Sequence, residues 1–248
     1  MDITKCHTTC VERGASLEKV ISHTEDTYVA VLSAKPRRLL LKLTTFGDVF
    51  KEVRMMDDAR VVVPVPEVYE YGAEADVRFV LMQYIEDSVT LSQYEGELTG
   101  PLWAELERVI LAIRSVTKDY SLGDTGDHYL KVCRFGMTGY SSATEFMRGR
   151  LDGLGLEGYS LPNLDESRLV LSHCDLWPCN VMVSEDGARV TAIIDWQTAG
   201  YYPDFYERSI YVFRCKLESL RGIPCIETWI RIFETPKTGV IDCVEDEI

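Results

Sequence analysis

The first part of the chain alternates short apolar runs with polar breaks, a pattern typical of β-strands. The runs EKVISH, DTYVAVLSA and RRLLLKLT follow one another between about Leu17 and Thr44, and Lys35 and Pro36 form a turn between the last two. These three runs predict an antiparallel meander.

A helix and two further strands are predicted after this meander. Residues 46–60 place apolar side chains at helical spacing, and the following VPVPEVYEYG ends the helix because proline disfavours the α conformation in the residue before it. The runs VYEYG and VRFVLMQYI then have strand character. Residues 1–84 are therefore predicted to form a small N-terminal lobe, an antiparallel sheet with one helix.

The second part of the chain is mainly helical in pattern. Pro101 opens the amphipathic segment GPLWAELERVILAIRSV, and Ser142 and Glu145 form a capping box at the start of another helix. Short strands are predicted within VLSHCDLWPCNVMV and ARVTAIIDW, and residues 204–234 are predicted to be helical again. The predicted fold class is α+β, with a larger helical lobe at residues 85–248.

Charge and apolar content restrict the function classes. The 248 residues include 26 lysines and arginines against 40 aspartates and glutamates, a net charge of −14, so no general attraction to nucleic acid or to an anionic membrane is expected. No apolar run reaches the roughly 18 residues of a membrane helix, and the N-terminal segment lacks the pattern of a signal peptide. We therefore expect a cytoplasmic protein without a membrane or nucleic-acid partner.

The turn inside VLSHCDLWPCNVMV carries an unusual group of polar side chains. His173, Asp175 and Asn180 lie close together in sequence, and Asp195 ends the next strand, IIDW. If the strands LVLS and VMV pair with VTAII, then Asp175, Asn180 and Asp195 face one small volume. The oxygens of Asn180 and Asp195 are suited to Mg²⁺, which leaves Asp175 to accept or orient the proton of a bound hydroxyl.

The order His-x-Asp-x-x-x-x-Asn, followed by an aspartate on the next strand, resembles the catalytic loop and metal site of protein kinases. The segments HCDLWPCN and IIDWQTAGYYPDFYE are more similar to the aminoglycoside phosphotransferase and choline kinase family, and most similar to its fungal group. The resemblance covers about residues 15 to 210. It implies a two-lobed protein-kinase-like fold and an ATP- and Mg²⁺-dependent phosphotransferase that acts on a hydroxyl of a small molecule.

The same resemblance implies a nucleotide site in the N-terminal lobe. Lys42 matches the strand lysine that pairs with the nucleotide phosphates, and Glu52 matches the helix acid that holds this lysine. The run VLMQYI matches the hinge, where the carbonyl of Gln83 and the N–H of Ile85 would bind the adenine edge.

Within the turn, the resemblance implies one role for each polar residue. Asp175 takes the position of the catalytic base, Asn180 and Asp195 take the metal positions, and His173 supports the loop. The small-molecule acceptor stays open among aminoglycoside-, choline- and sugar-like compounds.

Several positions depart from the family pattern. The turn expected to cover the phosphates, residues 22–27, has no glycine and contains Glu25 and Asp26. Cys174 stands where the family commonly has glycine, and Gln197 where it commonly has glutamate. Two alternatives therefore stay open: a pseudokinase or binding protein that keeps the fold, and a fungal biosynthetic enzyme that reuses the pocket for another reaction.

Overall fold

The structure of the protein is a computed structural model that describes residues 14–96, 99–117, 144–145, 148, 169–203 and 207. The chain forms two compact units, of which the first comprises Met1–Glu105 with Asp175–Gln197 and the second Leu106–Cys174 with Thr198–Ile248. These units are not the predicted lobes, 1–84 and 85–248, and the lobe boundary stays a prediction.

A five-stranded antiparallel sheet forms most of the first unit. Its strands are β1 (Ser16–His23), β2 (Thr27–Ala34), β3 (Arg37–Thr44), β4 (Val68–Glu74) and β5 (Val77–Gln83), in the order β1-β2-β3-β5-β4. Helix α1 (Val49–Arg60) connects β3 to β4. The predicted meander, the helix after it and the sheet of the N-terminal region are thereby confirmed.

The alternation of side chains in β2 and β3 decides where Lys42 points. Tyr28, Ala30, Leu41 and Leu43 are buried together in one apolar cluster, and Tyr28 lies opposite Leu43 as Ala30 lies opposite Leu41. Because successive side chains of a strand point to opposite faces, Lys42 leaves the sheet on the other face. Because Leu41 and Leu43 pack into the apolar cluster on one face of the sheet, the side chain of Lys42 between them lies on the opposite face.

Helix α1 begins at a side-chain cap. Asp48 Oδ1 accepts hydrogen bonds from the N–H groups of Phe50, at 3.0 Å, and Lys51, at 3.2 Å. These bonds satisfy two of the N–H groups that have no partner inside a helix, so Asp48 fixes the residue at which the helix starts. Glu52 consequently lies in the first turn of α1, where it is buried.

A second, three-stranded sheet of the first unit carries the end of the predicted turn. Strands β6 (Ser88–Thr90), β8 (Val181–Ser184) and β9 (Val190–Ile193) are antiparallel, in the order β6-β8-β9. The pairing of VMV with VTAI is as the sequence predicts, whereas β6 was not predicted because a strand of three residues has too few positions to show a period.

The predicted partner of the strand LVLS is wrong. This strand, β7 (Leu169–Ser172), pairs with β10 (Gly200–Pro203) in the second unit rather than with VTAII. All four residues of β7 are buried, so the strand shows no alternation that could indicate its partner. Tyr201 and Tyr202 in β10 are buried as well, which places these aromatic residues in the core.

The predicted helix at GPLWAELERVILAIRSV is present as α2 (Gly100–Ser115), and its apolar stripe is buried at Leu102, Leu106, Val109, Ile110 and Ile113. The predicted capping residue Ser142, and all of 204–234 except Glu207, lie outside the described residues.

In the described part of the chain, no helix combines the length and the apolar character needed to cross a membrane.

Removal of the cap should destabilise the protein. Asp48→Ala leaves the first N–H groups of α1 without their acceptor, so the free energy of unfolding in urea should fall by about 1 kcal/mol. Asp48→Asn keeps the acceptor oxygen and removes only the charge, so it should retain most of the stability. An asparagine variant as unstable as the alanine variant would show that the charge, rather than the cap, is what matters.

Candidate active site

The amine of Lys42 lies between two carboxylates from distant parts of the sequence. Its Nζ donates to Glu52 Oε1 in α1 at 2.8 Å and to Asp195 Oδ1, just after β9, at 2.7 Å. All three residues belong to the first unit. Since an ammonium has three N–H donors, these two bonds leave one donor of Lys42 for an anionic ligand.

The side chains of Lys42, Glu52 and Asp195 differ in their exposure to solvent. The side chains of Lys42 and Glu52 are 10% and 3% exposed, whereas the Asp195 side chain is 44% exposed. Burial acts to lower the pKa of Lys42, but the charges of Glu52 and Asp195 outweigh it, and the net shift is upward. Burial raises the pKa of Glu52, and the charge of Lys42 opposes this rise. Lys42 is therefore a permanent cation at neutral pH.

The strand end that carries Asp195 is fixed by its neighbours. The N–H of Ile194 donates to the carbonyl of Asn180 at 3.0 Å, and the indole N–H of the fully buried Trp196 donates to the carbonyl of Ile193 at 2.9 Å. Asp195 itself has a φ of 62°, a left-handed conformation that costs a non-glycine residue roughly 1 kcal/mol. These bonds hold the tight bend that turns the Asp195 carboxylate toward Lys42.

The turn before β8 brings Asp175 and Asn180 together. Asn180 Nδ2 donates to the backbone carbonyl of Asp175 at 2.7 Å and to its Oδ2 at 3.2 Å. The short 3₁₀ helix Pro178–Asn180 closes the turn, and the N–H of Asn180 bonds to the carbonyl of Trp177 at 2.8 Å. Because Nδ2 faces Asp175, the amide presents Oδ1 in another direction.

The donor atoms of Asn180 and Asp195 fit a magnesium ion. Both residues supply hard oxygens, and the carboxylate of Asp195 is accessible to a ligand. Mg²⁺ takes only one or two protein carboxylates and completes its shell with water and phosphate. The described residues contain no group of three or more His, Cys, Asp or Glu side chains that could hold a metal, so a cation here would depend on such additional ligands.

The predicted adenine-binding backbone starts at Gln83, the last residue of β5, and continues to Ile85. The N–H of Gln83 donates to the carbonyl of Glu67 at 2.8 Å, and among the described residues nothing accepts a hydrogen bond from the N–H of Ile85. Arg38 contacts the side chains of Tyr84 and Glu86, the two neighbours of Ile85. Its guanidinium lies 4.8 Å from the ring centre of Tyr84, and its Nε donates to Glu86 Oε1 at 3.1 Å.

The structure adds Glu207 to the residues that support the turn. In the second unit, Glu207 Oε1 accepts hydrogen bonds from the N–H groups of His173, at 3.0 Å, and Cys174, at 2.9 Å. Glu207 is 2% exposed. From the sequence we assign it to the start or support of the next helix, because the end of YYPDFYE gives no sign that a carboxylate there accepts backbone N–H groups.

Two of the positions that depart from the family pattern, Cys174 and Gln197, lie within the described residues. Cys174 has a φ of 63°, the left-handed conformation that glycine adopts most easily. In the first unit, Gln197 Nε2 donates to the carbonyl of Phe46 at 3.3 Å, and a β-carbon at Gly47 would collide with this amide. An ionised glutamate at position 197 could not donate that bond.

The structure therefore brings five of the seven predicted site residues into two contacting groups within the first unit, and Gln83 and Ile85 belong to neither group. Lys42, Glu52 and Asp195 form one group, and Asp175 and Asn180 form the other. The hydrogen bond from Ile194 to Asn180 links the two groups through the backbone. Their chemical roles stay predictions.

Comparisons with known proteins bear on the family and the fold of the chain. The sequence profile of the phosphotransferase enzyme family matches residues 13–216. A thermostable mutant of aminoglycoside phosphotransferase APH(4)-Ia, solved with AMP-PNP and hygromycin B, has a TM-score of 0.65 and 19% identity over 92% of this chain and 81% of its own.

Two further structures are similar over most of the chain. An aminoglycoside-3'-phosphotransferase of type VIII has a TM-score of 0.57 and 15% identity, over 94% of this chain and 92% of its own. Spectinomycin phosphotransferase APH(9)-Ia, solved with ADP and spectinomycin, has a TM-score of 0.54 and 15% identity, over 88% of this chain and 72% of its own. No curated protein matches the chain. The α+β kinase-like fold is confirmed, and the fungal group stays a prediction.

Removal of the Lys42 charge should make stability depend more strongly on pH. In Lys42→Met, Glu52 loses the cation that opposes the effect of burial, so its pKa rises further above the ordinary value of 4.5. A carboxyl with a raised folded pKa contributes stability at low pH that is lost as pH rises through that pKa. Relative to the unmodified protein, the free energy of unfolding should fall by about 1 to 3 kcal/mol between about pH 5 and pH 8.

The double variant Lys42→Met/Glu52→Gln is the matched control. It lacks the titrating carboxyl, so its free energy of unfolding relative to the unmodified protein should not fall over the same pH range. A deficit of Lys42→Met that does not change with pH would contradict the ion pair as we describe it.

Loss of the Glu207 carboxylate should destabilise the second unit. Glu207→Ala leaves the buried N–H groups of His173 and Cys174 without this acceptor, at a cost of about 2 to 4 kcal/mol in the free energy of unfolding. Glu207→Gln retains an acceptor oxygen and should lose less than half as much in urea denaturation. Equal losses in the two variants would show that the hydrogen bonds to these N–H groups are not the cause.

Proposed function

Because this chain belongs to the phosphotransferase enzyme family, we propose that it transfers the terminal phosphoryl group of ATP to a hydroxyl of a small molecule. The observation that carries the proposal is the buried cation of Lys42, held by Glu52 and Asp195 in the same unit as the Asp175 turn. Such an arrangement has the parts that phosphoryl transfer requires, which are positioning and charge.

The proposed nucleotide contacts use the amine of Lys42 and the backbone at the end of β5. Lys42 has one N–H beyond its two carboxylate bonds, and it would donate to a phosphate oxygen. The carbonyl of Gln83 and the N–H of Ile85 would bind the adenine edge, and Arg38 holds the side chains that flank Ile85. The similar phosphotransferases solved with AMP-PNP and with ADP support ATP as the donor.

Asn180 and Asp195 would hold Mg²⁺ through Oδ1 and the carboxylate. When bound, the ion neutralises charge on the nucleotide phosphates. The bond from Lys42 to Asp195 Oδ1 orients this carboxylate, and the backbone bond from Ile194 to Asn180 keeps the two residues side by side.

Asp175 would orient the acceptor and take its proton. The acceptor oxygen forms a bond to the γ-phosphorus, the bond from that phosphorus to the bridging oxygen of ADP breaks, and the hydroxyl proton passes to the carboxylate of Asp175. Asn180 Nδ2, at 3.2 Å from Asp175 Oδ2, fixes the direction of that carboxylate. This fixed direction favours a reactive alignment over other bound geometries.

The proposed acceptor is an aminoglycoside-, choline- or sugar-like molecule in the cytoplasm. The net charge of −14 favours a cationic acceptor, since an acidic surface raises the local concentration of cations. Similar phosphotransferases solved with hygromycin B and with spectinomycin support a small-molecule acceptor. The acidic turn at residues 22–27 favours the second candidate, a binding protein with the same fold and no phosphotransfer.

Two substitutions should separate catalysis from nucleotide binding. Asp175→Ala should lower the rate of phosphoryl transfer by about 100-fold or more, because general base catalysis is lost, while ATP with Mg²⁺ still raises the melting temperature. Asp195→Ala should remove the part of that thermal shift that depends on Mg²⁺. ADP release with a panel of aminoglycoside, choline and sugar acceptors measures the transfer.

Asp76→Ala is the matched control, because it removes an exposed carboxylate in the turn between β4 and β5. It should leave both the thermal shift and the transfer rate unchanged. Full turnover in both site variants would contradict the mechanism. A thermal shift of the unmodified protein without transfer to any acceptor would favour the binding protein.

A further inference from the structure

The turn between β1 and β2 occupies three of its backbone N–H groups, those of Thr24, Asp26 and Thr27. Thr24 Oγ1 accepts hydrogen bonds from the N–H of Thr27, at 3.0 Å, and the N–H of Asp26, at 3.3 Å. The N–H of Thr24 donates to the carbonyl of Thr27 at 2.8 Å. A threonine hydroxyl that caps a turn in this way satisfies the donors that a ligand would otherwise use.

The turn is also fastened to the segment after β3. Thr45 Oγ1 donates to Asp26 Oδ1 at 2.9 Å, and the N–H of Thr45 donates to the carbonyl of Asp26 at 3.0 Å. In the sheet, Thr27 lies opposite Thr44, two residues after Lys42. The turn is thus held at the end of the strand that carries Lys42.

Loops that bind nucleotide phosphates do so with unoccupied N–H groups, and glycines let the backbone approach the anion closely. In the described turn, the N–H groups of Thr24, Asp26 and Thr27 already have acceptors, and no residue is glycine. The carboxylates of Glu25 and Asp26 add negative charge next to the place where phosphates would lie.

We propose that this turn is closed to phosphate and that Thr24 is the residue that limits the affinity of the protein for nucleoside triphosphates. The inference rests on the proposed function, because it concerns the same nucleotide site. It assigns the binding of the phosphates to Lys42 and to the residues proposed to hold the metal, with no contribution from the turn. Thr24 is thus a determinant of affinity, and it acts by keeping the N–H groups of Asp26 and Thr27 occupied.

The test compares Thr24→Ala with Thr24→Ser by calorimetric titration of AMP-PNP and of AMP, each with Mg²⁺ and without it. Thr24→Ala frees the N–H groups of Asp26 and Thr27, so AMP-PNP should bind about three- to tenfold more tightly with and without Mg²⁺. The affinity for AMP should change less, because AMP lacks the β- and γ-phosphates. Thr24→Ser keeps the hydroxyl acceptor and should bind both nucleotides as the unmodified protein does.

Thr45→Val is a second control, because it loosens the turn without freeing the N–H groups that Thr24 occupies. It should leave the affinity for AMP-PNP unchanged, and tighter binding in this variant would overturn the role of Thr24. If the unmodified protein binds AMP-PNP and Thr24→Ala binds it equally or more weakly, the inference fails and the proposed function stands.

Binding to neither the unmodified protein nor Thr24→Ala would overturn the proposed function and the inference together. Binding to Thr24→Ala alone would support the inference and show that the unmodified turn excludes the nucleotide. Melting temperatures measured without ligand establish that each variant is folded.

Discussion

The buried charge of Lys42 is the constraint on which the first unit depends. An ammonium removed from water costs several kcal/mol unless carboxylates compensate it, and Lys42 is 8% exposed. Its partners come from different elements, Glu52 from the first turn of α1 and Asp195 from the strand end 153 residues further along the chain. One cation therefore requires that the five-stranded sheet, α1 and the β8–β9 hairpin be placed correctly at the same time.

Strained backbone conformations lie at both ends of residues 174–195, the segment that contains the turn with Asp175 and Asn180. Cys174 and Asp195 adopt left-handed conformations, which cost non-glycine residues free energy and persist only where neighbouring contacts fix them. For Asp195 the contacts are the buried indole of Trp196 and the backbone bond from Ile194 to Asn180. Strain of this kind is typical of segments whose geometry is set by a site rather than by local preference.

The sequence predicts much of this arrangement because the strands around Lys42 alternate clearly and because five positions of the family pattern occur in a recognisable order. It does not predict that β7 pairs with β10, since a strand buried on both faces has no period that points to a partner. Glu207 and Thr24 are missed for another reason. Their bonds are to backbone N–H groups, which every residue has, so no residue pattern marks them.

The charges of the site bear on how a nucleotide could bind there. Lys42 pairs with the carboxyl groups of Glu52 and Asp195, and Asp175 adds a third carboxyl group in the same unit, so carboxyl groups outnumber cations among these four residues. In the function we propose, a polyphosphate without a counterion would meet these carboxyl groups and a turn in which the N–H groups of Thr24, Asp26 and Thr27 are occupied. A nucleotide that arrives with a divalent cation would instead meet the carboxylate of Asp195 and the amide oxygen of Asn180, the two groups that we propose to hold the cation. In the function we propose, the electrostatics of the first unit would favour the metal–nucleotide complex over the free nucleotide, and this preference depends on Asp195, the same carboxylate that pairs with Lys42.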